Sequence, residues 1–457
     1  MRRILLVAVL VATTSTPCLA KESYAIVVSS GTLADAAWKA VTVALEAKHA
    51  EKHDVSVVTW EKSVEETLPR LTEVFPRCVC FVATPEEAGR EFVGQVHRLT
   101  RALDEDPYTD ALWGILTGYD ADAAMVIAKE AKPLTVHRVA SGTELAMEMV
   151  EAGVWYCELN QNRMVRKQPG EAAEELRGPD DTTKALVDAL NVEKAQLMVT
   201  SGHATERDWQ IGFRYRNGTF RCKDGRLFGL DTQGNQHPVE APEAKVYLPI
   251  GNCLMGHIDS RDAMALAWMN SAGVRQMIGY TVPTWFGYGG WGCLDYFVEQ
   301  PGRYTFIEAF FANHHALIHR LEMEFTAEDG SMRTSGAGRG MLFDRDVVAI
   351  YGDPAWEARM APADLAWDQE LTVADDEYRL TITPRRGAQT FEPINTNGSQ
   401  RGWRPVVAYL PHRVKNVRVV EGADLKPRIT DNFVLVPNPR QCDPDRKYVV
   451  EFQAERI

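Results

Sequence analysis

Beyond residue 20, the 457-residue sequence has no apolar run long enough to cross a membrane. It also lacks an excess of basic residues, since 50 lysines and arginines face 63 acidic residues and the net charge is −13. The first absence argues against membrane insertion, and the second argues against nucleic acid as a partner. Internal repeats and low-complexity tracts are absent as well, so the pattern is that of an ordinary globular chain.

Cysteine is scarce, with eight residues in the chain. The first of them, Cys18, falls in a stretch that predicts a secretory signal peptide: two arginines, an apolar core at 4–11 and a small-residue end at Ala20. We therefore expect a secreted or periplasmic protein whose remaining 437 residues carry a net charge of −15, from 48 basic and 63 acidic residues. Seven cysteines would remain, and an odd number in an exported protein leaves at least one free thiol.

Apolar strands and amphipathic helices alternate twice along the chain, and the last hundred residues change to short β-rich runs. A polar stretch at 160–183 predicts a surface linker between the two alternating units. The expected fold class is α/β, with a mostly parallel sheet in two subdomains, three-layered as α/β/α, and a C-terminal all-β domain of immunoglobulin-like type. The expected boundaries are 1–20 for the signal peptide, 21–165 for the N-terminal α/β subdomain, 180–360 for the catalytic subdomain and 361–457 for the β-sandwich.

Two short apolar runs of the second unit each end on a side chain that can do chemistry. One run, at 197–202, stops on His203, and the other, at 246–252, stops on Cys253. Ligands and chemistry collect at the carboxyl ends of parallel strands, so we expect the two side chains at one edge of the sheet. An imidazole that takes the proton from a thiol and returns it to a leaving amine is the working pair of a cysteine hydrolase.

These segments resemble the gingipain branch of the cysteine peptidases with a caspase-like fold. His203-Ala-Thr-Glu-Arg-Asp-Trp209 looks like the His-Gly-x-x-x-x-Trp segment of that family, and Cys253-Leu-Met-Gly256 looks like its Cys-x-x-Gly. The run ending in Gly352-Asp353-Pro354 is similar to its closing Gly-Asp-Pro motif. The order of signal peptide, paired α/β subdomains and β-domain is also similar, so the likeness covers most of the chain.

The resemblance implies a secreted cysteine endopeptidase, a thiol protease that hydrolyses protein or peptide substrates through a thioester acyl-enzyme. Cys253 would be the nucleophile and His203 the general base and acid. The backbone N–H groups of Cys253 and Ala204 would form the oxyanion hole, and Trp285 would line the pocket for the residue before the scissile bond. No organic cofactor is implied, and the calcium ion that this family can hold has no assigned ligands here. The oligomeric state and the preferred residue before the cut do not follow from the sequence.

Two departures from the family pattern keep other functions open. Ala204 replaces a glycine and Asn252 replaces an alanine. The replaced glycine favours the alternative of an inactive homologue that acts as a secreted binding protein. A zinc hydrolase is a third hypothesis, with Cys253, His203 and His257 as ligands but no clear fourth.

Three further features of the sequence carry smaller predictions. The glycine-rich segment 287–292 predicts a mobile aromatic loop beside Trp285 or a plain surface loop. An exposed helix face explains His315 and His319, and Asp353 is expected to be a structural turn residue.

Overall fold

The computed structural model describes residues 21–327, 331–332 and 334–457. The predicted signal peptide at 1–20 lies outside the described residues. Within the described part, none of the helices has the length and apolar character needed to span a bilayer.

The strands of the α/β region are β1 (Glu22–Ser29), β2 (His53–Trp60), β3 (Cys78–Val82), β4 (Leu112–Leu116), β5 (Leu134–Val136), β6 (Arg138–Ser141), β7 (Ala152–Tyr156), β8 (Arg163–Lys167), β9 (Glu174–Arg177), β10 (Leu197–Thr200), β11 (Asp208–Gln210), β12 (Thr219–Lys223), β13 (Arg226–Leu230), β14 (Gln236–Pro238), β15 (Lys245–Pro249), β16 (Val274–Tyr280), β17 (Val348–Tyr351) and β18 (Ala358–Met360). The helices are α1 (Ser30–Ala34), α2 (Ala36–His49), α3 (Leu68–Val74), α4 (Arg90–Thr100), α5 (Ala121–Lys129), α6 (Thr183–Asn191), α7 (Met264–Ser271), α8 (Tyr288–Phe297), α9 (Phe306–Arg320) and α10 (Gly336–Asp344). The strands of the C-terminal region are β19 (Trp367–Ala374), β20 (Glu377–Pro384), β21 (Val406–Tyr409), β22 (Val414–Glu421), β23 (Arg428–Ile429), β24 (Phe433–Val436) and β25 (Tyr448–Arg456).

Twelve strands form one continuous sheet in the order β2-β1-β3-β4-β17-β16-β15-β10-β6-β7-β8-β9. Its neighbours run parallel except at the β16–β17 junction and in the β7–β8–β9 end. Strands β3, β15 and β16 are buried along their whole length. Successive side chains point to opposite faces, so both faces of the sheet are covered. The prediction of an α/β fold with a mostly parallel sheet is confirmed.

The C-terminal region is all-β, as predicted. Strands β19, β20, β25 and β22 form one antiparallel sheet, and β21, β24 and β23 form another. Alternate residues of β25 are buried, and they pack with the inward side chains of β20 into a separate hydrophobic core. This alternation is typical of a strand with one face on a core and one face in water.

The prediction of a surface linker at 160–183 is wrong, because these residues contain the β8–β9 hairpin at the end of the large sheet. The charged side chains of this stretch are typical of a linker, but here they lie on the hairpin. Arg163 and Arg166 form ion pairs with glutamates of neighbouring segments. Strands β6 and β7 precede the boundary predicted at residue 165, and β10 follows it. Because β6 pairs with both β7 and β10, the large sheet is continuous across that boundary.

The glycine-rich segment predicted as a loop is instead the start of the buried helix α8. A side chain at Gly290 would overlap the carbonyl oxygen of Ile250, and one at Gly289 would come within 3.0 Å of Val348 Cγ2. Glycine is a poor helix former, but here it lets the helix backbone approach the end of β15 closely. Tertiary packing therefore overrides the local preference.

His315 is buried rather than exposed, which corrects the prediction of an exposed helix face. Its ring stacks on Phe433 of β24 with ring centroids 4.1 Å apart. The C-terminal β-region therefore covers α9, and the sequence pattern of α9 alone could not show this.

We expect the free energy of unfolding to fall as the pH is lowered from about 6.5 to about 4. Burial lowers the pKa of His97 to about 4. Its Nε2 donates to the Val348 carbonyl at 2.8 Å, and its Nδ1 has no hydrogen-bond partner among the described residues. The unfolded chain binds this proton at a higher pH than the folded chain, so stability rises with pH across this window, by on the order of 3 kcal/mol for His97. Urea unfolding at several pH values measures the slope.

His97→Gln is the matched variant, because glutamine can still donate to Val348 but does not titrate. Burial also lowers the pKa of His315, to about 3, so part of the slope should remain in this variant. An equal slope in both proteins would contradict the assignment to His97.

Candidate active site

Strands β10 and β15 are neighbours, and they bring His203 and Cys253 to the same edge of the sheet. The two strands pair in parallel with Thr200 opposite Pro249, and each candidate follows within four residues of its strand. The amide of Asn252, which is fully buried, ties the two turns together. It donates to the Gly202 carbonyl at 3.0 Å and accepts from the Thr200 hydroxyl at 2.6 Å. Asn252, which departs from the gingipain pattern, thus has a clear structural role.

The thiol of Cys253 is free and partly buried. The backbone N–H of Thr284 points at its sulfur, with 3.2 Å between nitrogen and Sγ. The next residue, Leu254, has φ of +58°, and its N–H donates to the Val282 carbonyl at 3.2 Å. This left-handed turn fixes the cysteine at the tip of the strand, beside the segment that follows β16.

The imidazole of His203 is exposed to solvent and rests against the ring of Phe213, with 4.8 Å between ring centroids. Gly202 before it has φ of +91°, a turn that glycine adopts without strain. In the described part of the chain no hydrogen bond joins this ring to the Cys253 sulfur, whose hydrogen-bond partner is the Thr284 backbone. Catalytic hydrogen bonds commonly tighten only when substrate binds, and an exposed ring has room to turn.

The two predicted oxyanion donors are unused. Among the described residues, the backbone N–H groups of Cys253 and Ala204 donate to no protein acceptor. In the bridge between Ala204 and Trp209, the flanking residues make the hydrogen bonds. The N–H of Thr205 donates to the Asp208 carbonyl, and the N–H of Gln210 donates to the His203 carbonyl. Ala204 has no positive φ, so this position does not require the glycine of the family pattern.

Trp285 lies next to the cysteine in space. It directly follows Thr284, whose backbone contacts the sulfur, and its side chain is 53% exposed. The indole is held on one side by Phe286 and Phe343, at centroid distances of 5.7 and 5.5 Å. An exposed but braced indole beside a free thiol is suited to form a wall against a substrate side chain.

Sequence reasoning missed Glu158, a buried acid on this side of the molecule. Its Oε1 accepts from the Thr143 hydroxyl at 2.7 Å, and its Oε2 is buried with no hydrogen-bond partner in the part of the chain that the structure describes. Its carbonyl accepts from the N–H of Phe213 at 2.6 Å, which connects it to the ring under His203. The signal was present, because residues 154–157 are another apolar run that ends on a polar residue.

The proposed zinc ligands do not converge. In the part of the chain that the structure describes, the group whose ligand atoms lie within 4.8 Å of one another is Asp104, Asp106 and Asp110, whereas Cys253, His203 and His257 form no such group. Carboxylates suit calcium, but each of the three accepts a backbone N–H of its own loop, at 2.8 to 3.0 Å. Turn formation explains the cluster, and we assign no ion to it.

Comparison of the chain with protein-family models, with curated proteins and with solved structures finds no match.

Proposed function

We propose that this protein is a cysteine endopeptidase with a caspase-like fold, similar to gingipains. The observation that carries the proposal is the convergence of a free, partly buried thiol and an exposed imidazole at the ends of two adjacent parallel strands. The buried Asn252 amide that joins the two turns makes this arrangement part of the fold rather than an accident of flexible loops.

In the proposed reaction, the Cys253 sulfur attacks the carbonyl carbon of a peptide bond while His203 takes the thiol proton. The unused N–H groups of Cys253 and Ala204 would receive the negative charge on the oxygen. His203 then gives its proton to the leaving amine, and a thioester remains on Cys253. Water attacks the thioester with His203 as base, which releases the acid product and restores the thiol.

An inactive homologue that binds proteins is the second candidate. The orientation of the thiol favours it, because Sγ contacts the Thr284 backbone and not the His203 ring. Reactivity of the thiol separates the two functions, since only the peptidase needs a nucleophilic sulfur.

Treatment with iodoacetamide is expected to label Cys253 at least about tenfold faster than any other cysteine. Burial raises the pKa of Cys78 and of Cys222 to about 12, so their thiols remain protonated and slow. Mass spectrometry of peptides at early times measures the rate for each cysteine. Loss of the imidazole in His203→Ala should slow labelling of Cys253 alone. Slow and uniform labelling of several thiols would favour the binding protein.

A further inference from the structure

A loop of the C-terminal β-region, residues 395–404, reaches across to the segments that carry the candidate active site. Two buried arginines hold it there. Arg401 pairs with Asp295 of α8 at 2.6 Å and with Glu299, and Arg404 pairs with Asp295 at 3.1 Å. All four side chains are at most 7% exposed, and the Arg404 guanidinium also lies 3.8 Å from the centroid of the Tyr288 ring. Breaking a buried ion network is strongly unfavourable, so the position of the loop is fixed.

The loop touches the cysteine segment through Trp291 and the tryptophan segment through Ser399. The Trp291 ring packs against Gly251, two residues before Cys253, where an added Cβ would lie 2.8 Å from Nε1. On its other side the ring packs against Gly398 of the loop, where a side chain would overlap it. Ser399 packs against Gly287, two residues after Trp285, with 3.0 Å between its Cβ and the site of an added Cβ on Gly287.

The loop also touches the histidine segment, through Asn397. The Asn397 amide donates to Glu158 Oε1 at 3.2 Å, and the Glu158 carbonyl holds the N–H of Phe213. Phe213 in turn carries the ring of His203. One loop of the β-region therefore contacts, directly or through one or two residues, every segment that the reaction would use.

We propose that the 395–404 loop is part of the active site, with Asn397 as a positioning residue that acts on His203 through Glu158 and Phe213. The inference rests on the proposed function and deepens it. The β-region then contributes to catalysis itself, and is more than a support for the sheet. Because Asn397 does not touch the reacting atoms, its loss should change the rate of turnover more than the binding of substrate.

The test is peptide cleavage by full-length variants, with the peptide that the wild type cleaves fastest in a library. Asn397→Ala is expected to lower kcat about tenfold and to leave KM within about twofold. Its thermal midpoint should move by less than about 3 °C, since one hydrogen bond is lost. Gln389→Ala is the matched control, because this exposed amide of the C-terminal β-region lies outside the loop, and it should match the wild type. Asn397→Asp keeps the shape but loses the donor, so it should lose activity even if the alanine variant folds poorly.

A double-mutant cycle with Phe213→Leu shows whether the loss of Asn397 acts on His203 through the ring of Phe213. If it does, Asn397→Ala causes little further loss in the Phe213→Leu background, because both changes disturb the same contact. Fully additive losses, or wild-type turnover in both Asn397 variants, would overturn the inference. If Cys253→Ala is inactive while the Asn397 variants are normal, only this inference fails. If Cys253→Ala still cleaves peptides, the proposed function fails first.

Discussion

Replacing Cys253 by alanine is expected to lower kcat for peptide cleavage by at least about 10³-fold. Alanine offers no nucleophile, and oxyanion donors together with substrate binding supply only a small part of the acceleration of such an enzyme. His203→Ala should lose activity to a similar extent, because without the imidazole the thiol is not deprotonated and the leaving amine receives no proton. The double variant should be no slower than the worse single one, since nucleophile and base act as a unit. Initial rates with a fluorogenic peptide measure all three.

Two other residues of the same chemical types provide controls for this prediction. Cys222 is also a partly buried free thiol, and its sulfur lies 2.9 Å from the Asp262 carbonyl, so Cys222→Ala should keep turnover within about twofold. His257 lies four residues after Cys253 and is the other imidazole near the turn, so His257→Ala tests whether the base is correctly assigned. Unchanged cleavage by Cys253→Ala or by His203→Ala defeats the assignment.

The local pattern of the sequence was sufficient to predict where the candidate pair would be. A buried strand that stops on a polar residue is visible as a short apolar run, and parallel pairing then places two such ends at one edge. The positions of His203 and Cys253 follow from this rule, whereas Trp285 is predicted from the resemblance to gingipains. The structure brings the three segments together. Whether they act together in catalysis remains a prediction.

Features that depend on distant parts of the chain could not be predicted in this way. The buried helix α8 looks like a loop because four of the six residues at 287–292 are glycines, whose packing role appears only beside Ile250 and Val348. The 395–404 loop shows only a turn signal at 395–398, and its contact with the segments of the candidate site depends on arginines that meet acids about a hundred residues away. Local propensity carries no information about such contacts.

Asp353 has a local role in a turn, which its sequence context predicts, and a long-range role, which it does not. It was predicted as a structural turn residue, and it does accept from Ala355 N at 3.0 Å within its own turn. It is also the buried centre of a cluster that joins the end of β17 to the first helix layer. Its carboxylate binds Lys48 at 2.5 Å, His49 at 2.7 Å and the Tyr24 hydroxyl at 2.8 Å.

Asp353→Ala is therefore expected to lower the free energy of unfolding by about 3–5 kcal/mol. The change removes the only acid in contact with Lys48 and His49 among the described residues and leaves the ammonium group largely buried without a counter-charge. Urea unfolding followed by tryptophan fluorescence at neutral pH measures the loss. A surface pair serves as control: Arg385–Asp368 is about half exposed on both sides, so Asp368→Ala should change stability by less than about 1 kcal/mol. Equal effects of the two substitutions would contradict the central role of Asp353.

The pH dependence of stability tests the buried Asp353 anion independently, through a comparison of the wild type with Asp353→Asn. Burial alone would raise the pKa of Asp353, but Lys48 and His49 together hold it well below the usual value. A carboxylate with a lowered pKa contributes stability that is present above the unfolded pKa of about 3.9 and is lost as the pH falls below it. The wild type should therefore lose stability relative to Asp353→Asn below about pH 4, where the asparagine variant has no proton to bind. If the stability difference between the two proteins stays constant from neutral pH to about pH 3, Asp353 is not held as an anion by this cluster.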